Sequence, residues 1–133
     1  MDAISRATYA ATPPPCWHDV SDAPHDIQSE DDLNRRLKQS EECRDGIFVL
    51  FEAFYCGACQ PIIKEFRNYA AKYGDRMSFL TLDQDKFPKI ASKYGVKMMP
   101  FTIYFQNGTR IAHTFGNNKE AFKAFITKYA PAT

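Results

Sequence analysis

The nine residues Ile47-Phe48-Val49-Leu50-Phe51-Glu52-Ala53-Phe54-Tyr55 run almost unbroken in apolar character into Cys56-Gly57-Ala58-Cys59. A helical pattern takes over where they end. A run too apolar to alternate, over about 47–54, suits a strand covered on both faces, so layers on either side of a sheet are required. The junction holds two thiols three positions apart. At the start of a helix, such a pair can close a disulfide within one turn. The helix N-terminus brings positive partial charge and unpaired N–H groups to the first sulfur, which favours thiolate over thiol. A thiolate attacks a disulfide and a second thiol resolves the mixed disulfide, so the spacing reads as a dithiol exchange site. The same spacing is also half of many zinc sites.

The remaining elements alternate around this junction. Residues 1 to about 25, with Pro13-Pro14-Pro15 and Pro24, show no periodicity and read as an extended or flexible tail, leaving 26–133 as one domain. Ser29 followed by Asp32 resembles a capping box, and Leu33 and Leu37 begin a helix over about 30–42 that ends near Asp45-Gly46. A helix over about 58–73 carries Ile62, Phe66, Tyr69, Ala70 and Tyr73, with Pro61 in or just after its first turn and Gly74 at its end. An apolar stretch from Met77 to Asp83 and a short helix from Phe87 to Tyr94, stopped by Gly95, follow. Asn107-Gly108 joins Phe101–Phe105 to Arg110–Phe115 as a hairpin, and a last helix over about 118–129 presents Phe122, Phe125, Ile126 and Tyr129. The order predicts an α/β fold: a central mixed sheet of four or five strands with helices on both faces.

Charge and length narrow the function. At 133 residues and a formal charge of +1, nothing points to nucleic acid or to a membrane surface. Residues 1–45 carry ten acids and five bases, whereas 46–133 carry six acids and twelve bases. Residues 46–133 are therefore cationic behind an acidic stretch, which is ordinary surface charge on the plainer reading and a bias that can select partners on the other. No run of about 18 apolar residues predicts a membrane span. The start of the chain lacks the basic and apolar regions of a secretory signal, so a cytoplasmic protein is expected, with mitochondrial as the alternative. Cys16 and Cys43 form no dense framework with the CxxC, which fits a reducing compartment. Cys43 reads as a half-buried structural thiol, with a regulatory disulfide as the lesser option. Zinc on Cys16 and His18 with the CxxC is the lesser reading, and no metal or cofactor is expected. His25 and His113 lack a ligand partner at suitable spacing and take no role. Phe48, Phe51, Phe54, Phe101 and Phe105 read as core, and Tyr55 as an exposed rim residue beside Cys56.

With these elements in order, the chain over roughly 28–130 resembles the thioredoxin family. The resemblance rests on the strand into Tyr55-Cys56-Gly57-Ala58-Cys59, on Leu82-Asp83-Gln84-Asp85, and on Lys93-Tyr94-Gly95-Val96-Lys97-Met98-Met99-Pro100. Phe101–Phe105, the Asn107-Gly108 turn and Gly116 before the last helix complete it. It implies a protein-disulfide reductase with Cys56 as nucleophile, Cys59 as resolving thiol and a cis Met99–Pro100 bond. It further implies a substrate-binding rim of Tyr55, Gly57, Ala58, Met99, Pro100 and Gly116. Implied partners are disulfide-containing proteins and a thioredoxin reductase or dithiol donor, the chain acting as a monomer. Departures are informative. Tyr55 replaces a Trp, Ala58 replaces the Pro of the family motif, and Lys64 stands where the long helix is usually kinked by Pro. The family's buried Asp and its Lys partner fall at Leu50 and Phe79. Both charges are gone together, which avoids stranding one. Glu52, in the place of another Trp, lies on the Leu50 face of its strand and is expected to serve as a relocated general base for Cys59; the bland alternative is a solvated rim residue. Two other readings remain open: a redox-sensitive binding module with little turnover, and an oxidase or isomerase of the secretory pathway.

Overall fold

Both faces of the apolar run are covered, and that coverage organises the computed structural model, which describes residues 23–131. The strand, β2, spans Gly46–Glu52, with β1 at His25–Asp26, β3 at Ser78–Asp83, β4 at Phe101–Gln106 and β5 at Thr109–Phe115. They form one five-stranded sheet in the order β1-β3-β2-β4-β5. β2 runs parallel to β3 and antiparallel to β4, β1 is parallel to β3, and β5 pairs antiparallel with β4. The helices are α1 (Glu30–Cys43), α2 (Gln60–Tyr73), α3 (Pro88–Lys93) and α4 (Lys119–Tyr129).

Alternation along β2 divides the core in two. Ile47, Val49 and Phe51 pack with Leu33 of α1 and with Ile90 and Ala91 of α3. Phe48 and Leu50 pack with Ile62, Phe66 and Ala70 of α2 and with Phe122 and Ile126 of α4. Phe48, Leu50, Phe66 and Phe79 are sealed from solvent, so each contributes roughly 1.5–3 kcal/mol of transfer free energy.

Local chemistry sets the element ends. The Ser29 hydroxyl accepts the Asp32 N–H at 3.0 Å, and Asn118 caps α4 by accepting from the Ala121 N–H. α1 stops at Arg44, which takes a left-handed backbone, φ 58°. The β4–β5 turn has φ 55° at Asn107 and 77° at Gly108, the pair of positive values a tight two-residue hairpin turn needs. A Cβ at Gly108 would also lie 3.0 Å from the Glu41 Cβ of α1, so glycine is required there on two counts.

Three sequence expectations change. β2 ends at Glu52, two residues early, and Phe54, expected in the core, is 82% exposed. Once the chain leaves the ladder, strand alternation no longer assigns a face, and Phe54 packs edge-on to Tyr55 instead. His25 is not lone: its Nε2 lies 2.8 Å from Asp32 Oδ2, a pairing across seven residues that local spacing does not show. His113 stacks on Phe101 with ring centres 5.0 Å apart, and Arg110 reaches its Nδ1.

Candidate redox site

The chain turns sharply after Ala53, whose carbonyl accepts the Cys56 N–H at 3.0 Å. Cys56 itself has extended backbone (φ −82°, ψ 100°) and heads a short 3-10 turn, Gly57–Cys59, that leads directly into α2. The Cys59 N–H returns to the Cys56 carbonyl at 3.1 Å. Pro61 sits in the first turn of α2, where its missing N–H costs no helical bond. This tight path brings the two Cα atoms to 5.3 Å, and Cys56 and Cys59 are joined as a disulfide. The two sulfur-bearing residues differ in exposure. Cys59 is 0% exposed within the α2–α4 core, against Leu50 and Phe66, whereas Cys56 lies half-buried at its edge.

The rest of the expected rim converges here in part. Met99 packs on the same cluster as Cys56, and the Met99–Pro100 bond is cis. Gly116, at φ 93°, donates its N–H to the Pro100 carbonyl at 3.0 Å, which ties the end of β5 to the start of β4. Gly57 and Ala58 are exposed, and Tyr55 is 60% exposed, as expected of a rim residue. Its hydroxyl donates to Asp85 Oδ1 at 3.0 Å, and this raises the phenol's pKa, because the neutral form is the donor. Asp85 was not legible as a site residue. The only sequence signal was its place in Leu82-Asp83-Gln84-Asp85, just past a strand. Asp83 Oδ1 accepts from the Asp85 and Lys86 N–H groups and holds that turn.

Glu52 lies beyond Leu50 on the same face, at the flank of α2. Its side chain borders a cavity of about 380 Å³ with Pro24, Asp26, Ile63, Arg67 and Thr81. Ile63 is one turn past Cys59. Burial raises the Glu52 pKa, repulsion from Asp83 and Asp26 raises it further, and Arg67 and Lys86 oppose the shift. In register, Glu52 stands opposite Asp83 across the β2–β3 ladder. Leu50 and Phe79 are both buried, so no charge occupies the inner positions beneath Cys59. Among the described residues no cluster of three or more His, Cys, Asp or Glu is arranged to hold a metal. Cys43, expected as a structural thiol, is disulfide-bonded, and Cys16 lies outside the described residues, as do His18 and the proline triplet.

Comparison with known proteins agrees with this geometry. The thioredoxin family model matches residues 26–128. A thioredoxin H-type of Oryza sativa subsp. indica is 28% identical over 105 residues, covering 79% of this chain and 85% of its own length. Mouse thioredoxin (Mus musculus) is 34% identical over 84 residues, covering 63% of this chain and 79% of its own. Among solved structures, Plasmodium falciparum thioredoxin superposes with a TM-score of 0.71 at 27% identity, over 79% of this chain and 98% of that one. The chain belongs to the thioredoxin family of dithiol oxidoreductases, and Cys56 and Cys59 are its redox pair.

Proposed function

We propose that Cys56 is the attacking thiol and Cys59 the resolving one, in a cycle that reduces protein disulfides. The observation that carries this assignment is the difference in exposure: the half-buried Cys56 is reachable, and the fully buried Cys59 is not. In the reduced state the Cys56 thiolate attacks one sulfur of a substrate disulfide. A mixed disulfide forms, and the first substrate sulfur leaves as thiolate. Cys59 then attacks the Cys56 sulfur, forms the Cys56–Cys59 bond and releases the second substrate thiol. Two electrons have moved to the substrate, and a dithiol donor or thioredoxin reductase must return them. The substrate strand rests on Tyr55, Gly57, Ala58, Met99, Pro100 and Gly116, with the Met99 backbone open to pairing by strand addition. The chain acts as a monomer in this reading.

Cys59 must lose a proton to attack, and with Leu50 and Phe79 apolar Glu52 is a carboxylate on that face, beside Asp26 and Asp83. A carboxylate whose pKa is raised is a better base at neutral pH than an ordinary one. Glu52 borders the cavity that is also lined by Ile63, one turn of α2 past Cys59, an arrangement that suits relay through a water.

Alkylation tests the assignment. In the reduced protein, iodoacetamide at neutral pH should label Cys56 before Cys59, as peptide mapping would show; faster labelling of Cys59 reverses the roles. Turnover is tested with dithiothreitol and insulin. Reduction of insulin faster than by dithiothreitol alone supports an enzyme, and the absence of any acceleration favours the binding-module reading over the reductase.

A further inference from the structure

The turn that carries Asp85 leads into a second feature. A cavity of about 330 Å³ opens between that turn, α3 and the first residue of α1, lined by Glu30, Lys86, Phe87, Pro88, Lys89 and Ile90. Its lining is mainly apolar, with Ile90 buried and Phe87 packed on the core. Its rim is cationic. Residues 84–97 hold Lys86, Lys89, Lys93 and Lys97 against Asp85 alone, and all four lysines are exposed. Glu30, the carboxylate on the far wall, is engaged by Lys93 at 3.3 Å. Among the described residues Lys86 and Lys89 make no ion pair, and both are exposed. The cavity is mechanically joined to the redox site. Tyr55, next to Cys56, is bonded to Asp85, the Asp83 carboxylate fixes the Asp85–Lys86 backbone, and Lys86 begins the cavity wall.

Resting on the dithiol-exchange reading, we infer that this cavity is a specificity subsite: it takes an apolar side chain flanked by carboxylates, carried by the disulfide-bearing protein whose disulfide lies at Cys56. An apolar slot with two lysines at its mouth complements that chemistry, and it disfavours a basic flank through like-charge repulsion. The domain as a whole supports the same sign, since residues 46–133 hold twelve bases and six acids.

The test uses the full chain, reduced, against disulfide peptides identical except beside the cystine: Phe flanked by Glu, Phe flanked by Lys, and Ser flanked by Glu. A small uncharged disulfide, hydroxyethyl disulfide, is the control. At low salt the Phe–Glu peptide should be reduced about fivefold or more faster than the Phe–Lys peptide, an advantage of electrostatic origin that fades as salt shortens the screening length. It should also outrun the Ser–Glu peptide. Lys89→Gln and Lys89→Glu should bring the Glu and Lys peptides to within about twofold, leaving the control rate unchanged. Equal rates for the Glu and Lys peptides in the wild type, or a preference that survives in Lys89→Glu, overturns the subsite while a working control keeps the exchange reading. Failure to reduce hydroxyethyl disulfide overturns the exchange reading, and the subsite with it.

Discussion

Two carboxylates close to the edge strand β1, one buried and one half-buried, meet opposite fates. Asp32, in the first turn of α1, is 5% exposed and sits at the centre of a hub. His25 Nε2 lies 2.8 Å from one of its oxygens, the Gln28 N–H donates at 2.9 Å, and Arg35 and Arg36 donate at 3.0 and 3.1 Å. Burial alone would raise its pKa, yet the bonds from His25, Gln28 and Arg36 lower it from 3.8 to about 2. Glu52 is half-buried with Asp83 and Asp26 for company, and burial and repulsion push its pKa the other way. Desolvation acts on both groups, and the donors around the carboxylate decide the sign of the outcome. A satisfied carboxylate of this kind holds structure together. An unsatisfied one is available for proton transfer.

The comparison breaks first if Asp32 proves dispensable. Asp32→Ala removes the carboxylate shared by His25, Arg35, Arg36 and the Gln28 N–H and should cost about 3 kcal/mol, measured by denaturant unfolding, with Cys56 alkylation unchanged. A loss under about 1 kcal/mol would mean that water replaces the hub. Acid titration sharpens the contrast through sign. A lowered pKa gives Asp32 about 2 kcal/mol of stability at neutral pH, present above about pH 4 and lost as pH falls toward 2. Asp32→Asn should remove that acid limb from the plot of unfolding free energy against pH. Glu52 works in reverse, because its raised pKa makes stability fall as pH rises above 4.5, its unfolded-state value. Glu52→Gln should therefore flatten that part of the curve; an unchanged slope contradicts the raised pKa. On chemistry, Glu52→Gln should slow resolution of the mixed disulfide about tenfold, roughly 1.4 kcal/mol, with Cys56 attack little changed. Stopped-flow rates equal to wild type across neutral pH would return Glu52 to an ordinary rim residue. The smallest effect separates proton handling from redox poise. Ala58→Pro should shift the Cys56/Cys59 potential to the reducing side by tens of millivolts, where about 30 mV equals 1.4 kcal/mol, and should leave the pH dependence of resolution alone. An unchanged potential would place its control at Tyr55 or Leu50.

Sequence patterns revealed the fold almost wholly, because the signals were local and redundant. Apolar runs mark β2, β3 and β4, Asn107-Gly108 marks the hairpin, and Ser29 and Gly95 mark helix limits. The redox pair was equally legible, since both thiols belong to one motif. What escaped depends on contacts between distant segments. The Tyr55–Asp85 bond spans 30 residues, and the Thr81–Asp26 bond beside Glu52 spans 55. Asp32 was noticed as a capping residue, but its His25 and arginine partners required the folded geometry. Phe54 misled because its composition continued the strand after the ladder had ended.

The central claim is that Cys56 attacks and Cys59 resolves. Trapping tests it directly: reduced Cys59→Ser and Cys56→Ser are each mixed with a disulfide protein, and the adducts are mapped by mass spectrometry without reductant. Cys59→Ser should accumulate a mixed disulfide at Cys56, and Cys56→Ser should form none and reduce nothing. A stable adduct at Cys59 in the Cys56→Ser protein, formed as fast as the adduct at Cys56, would contradict the account.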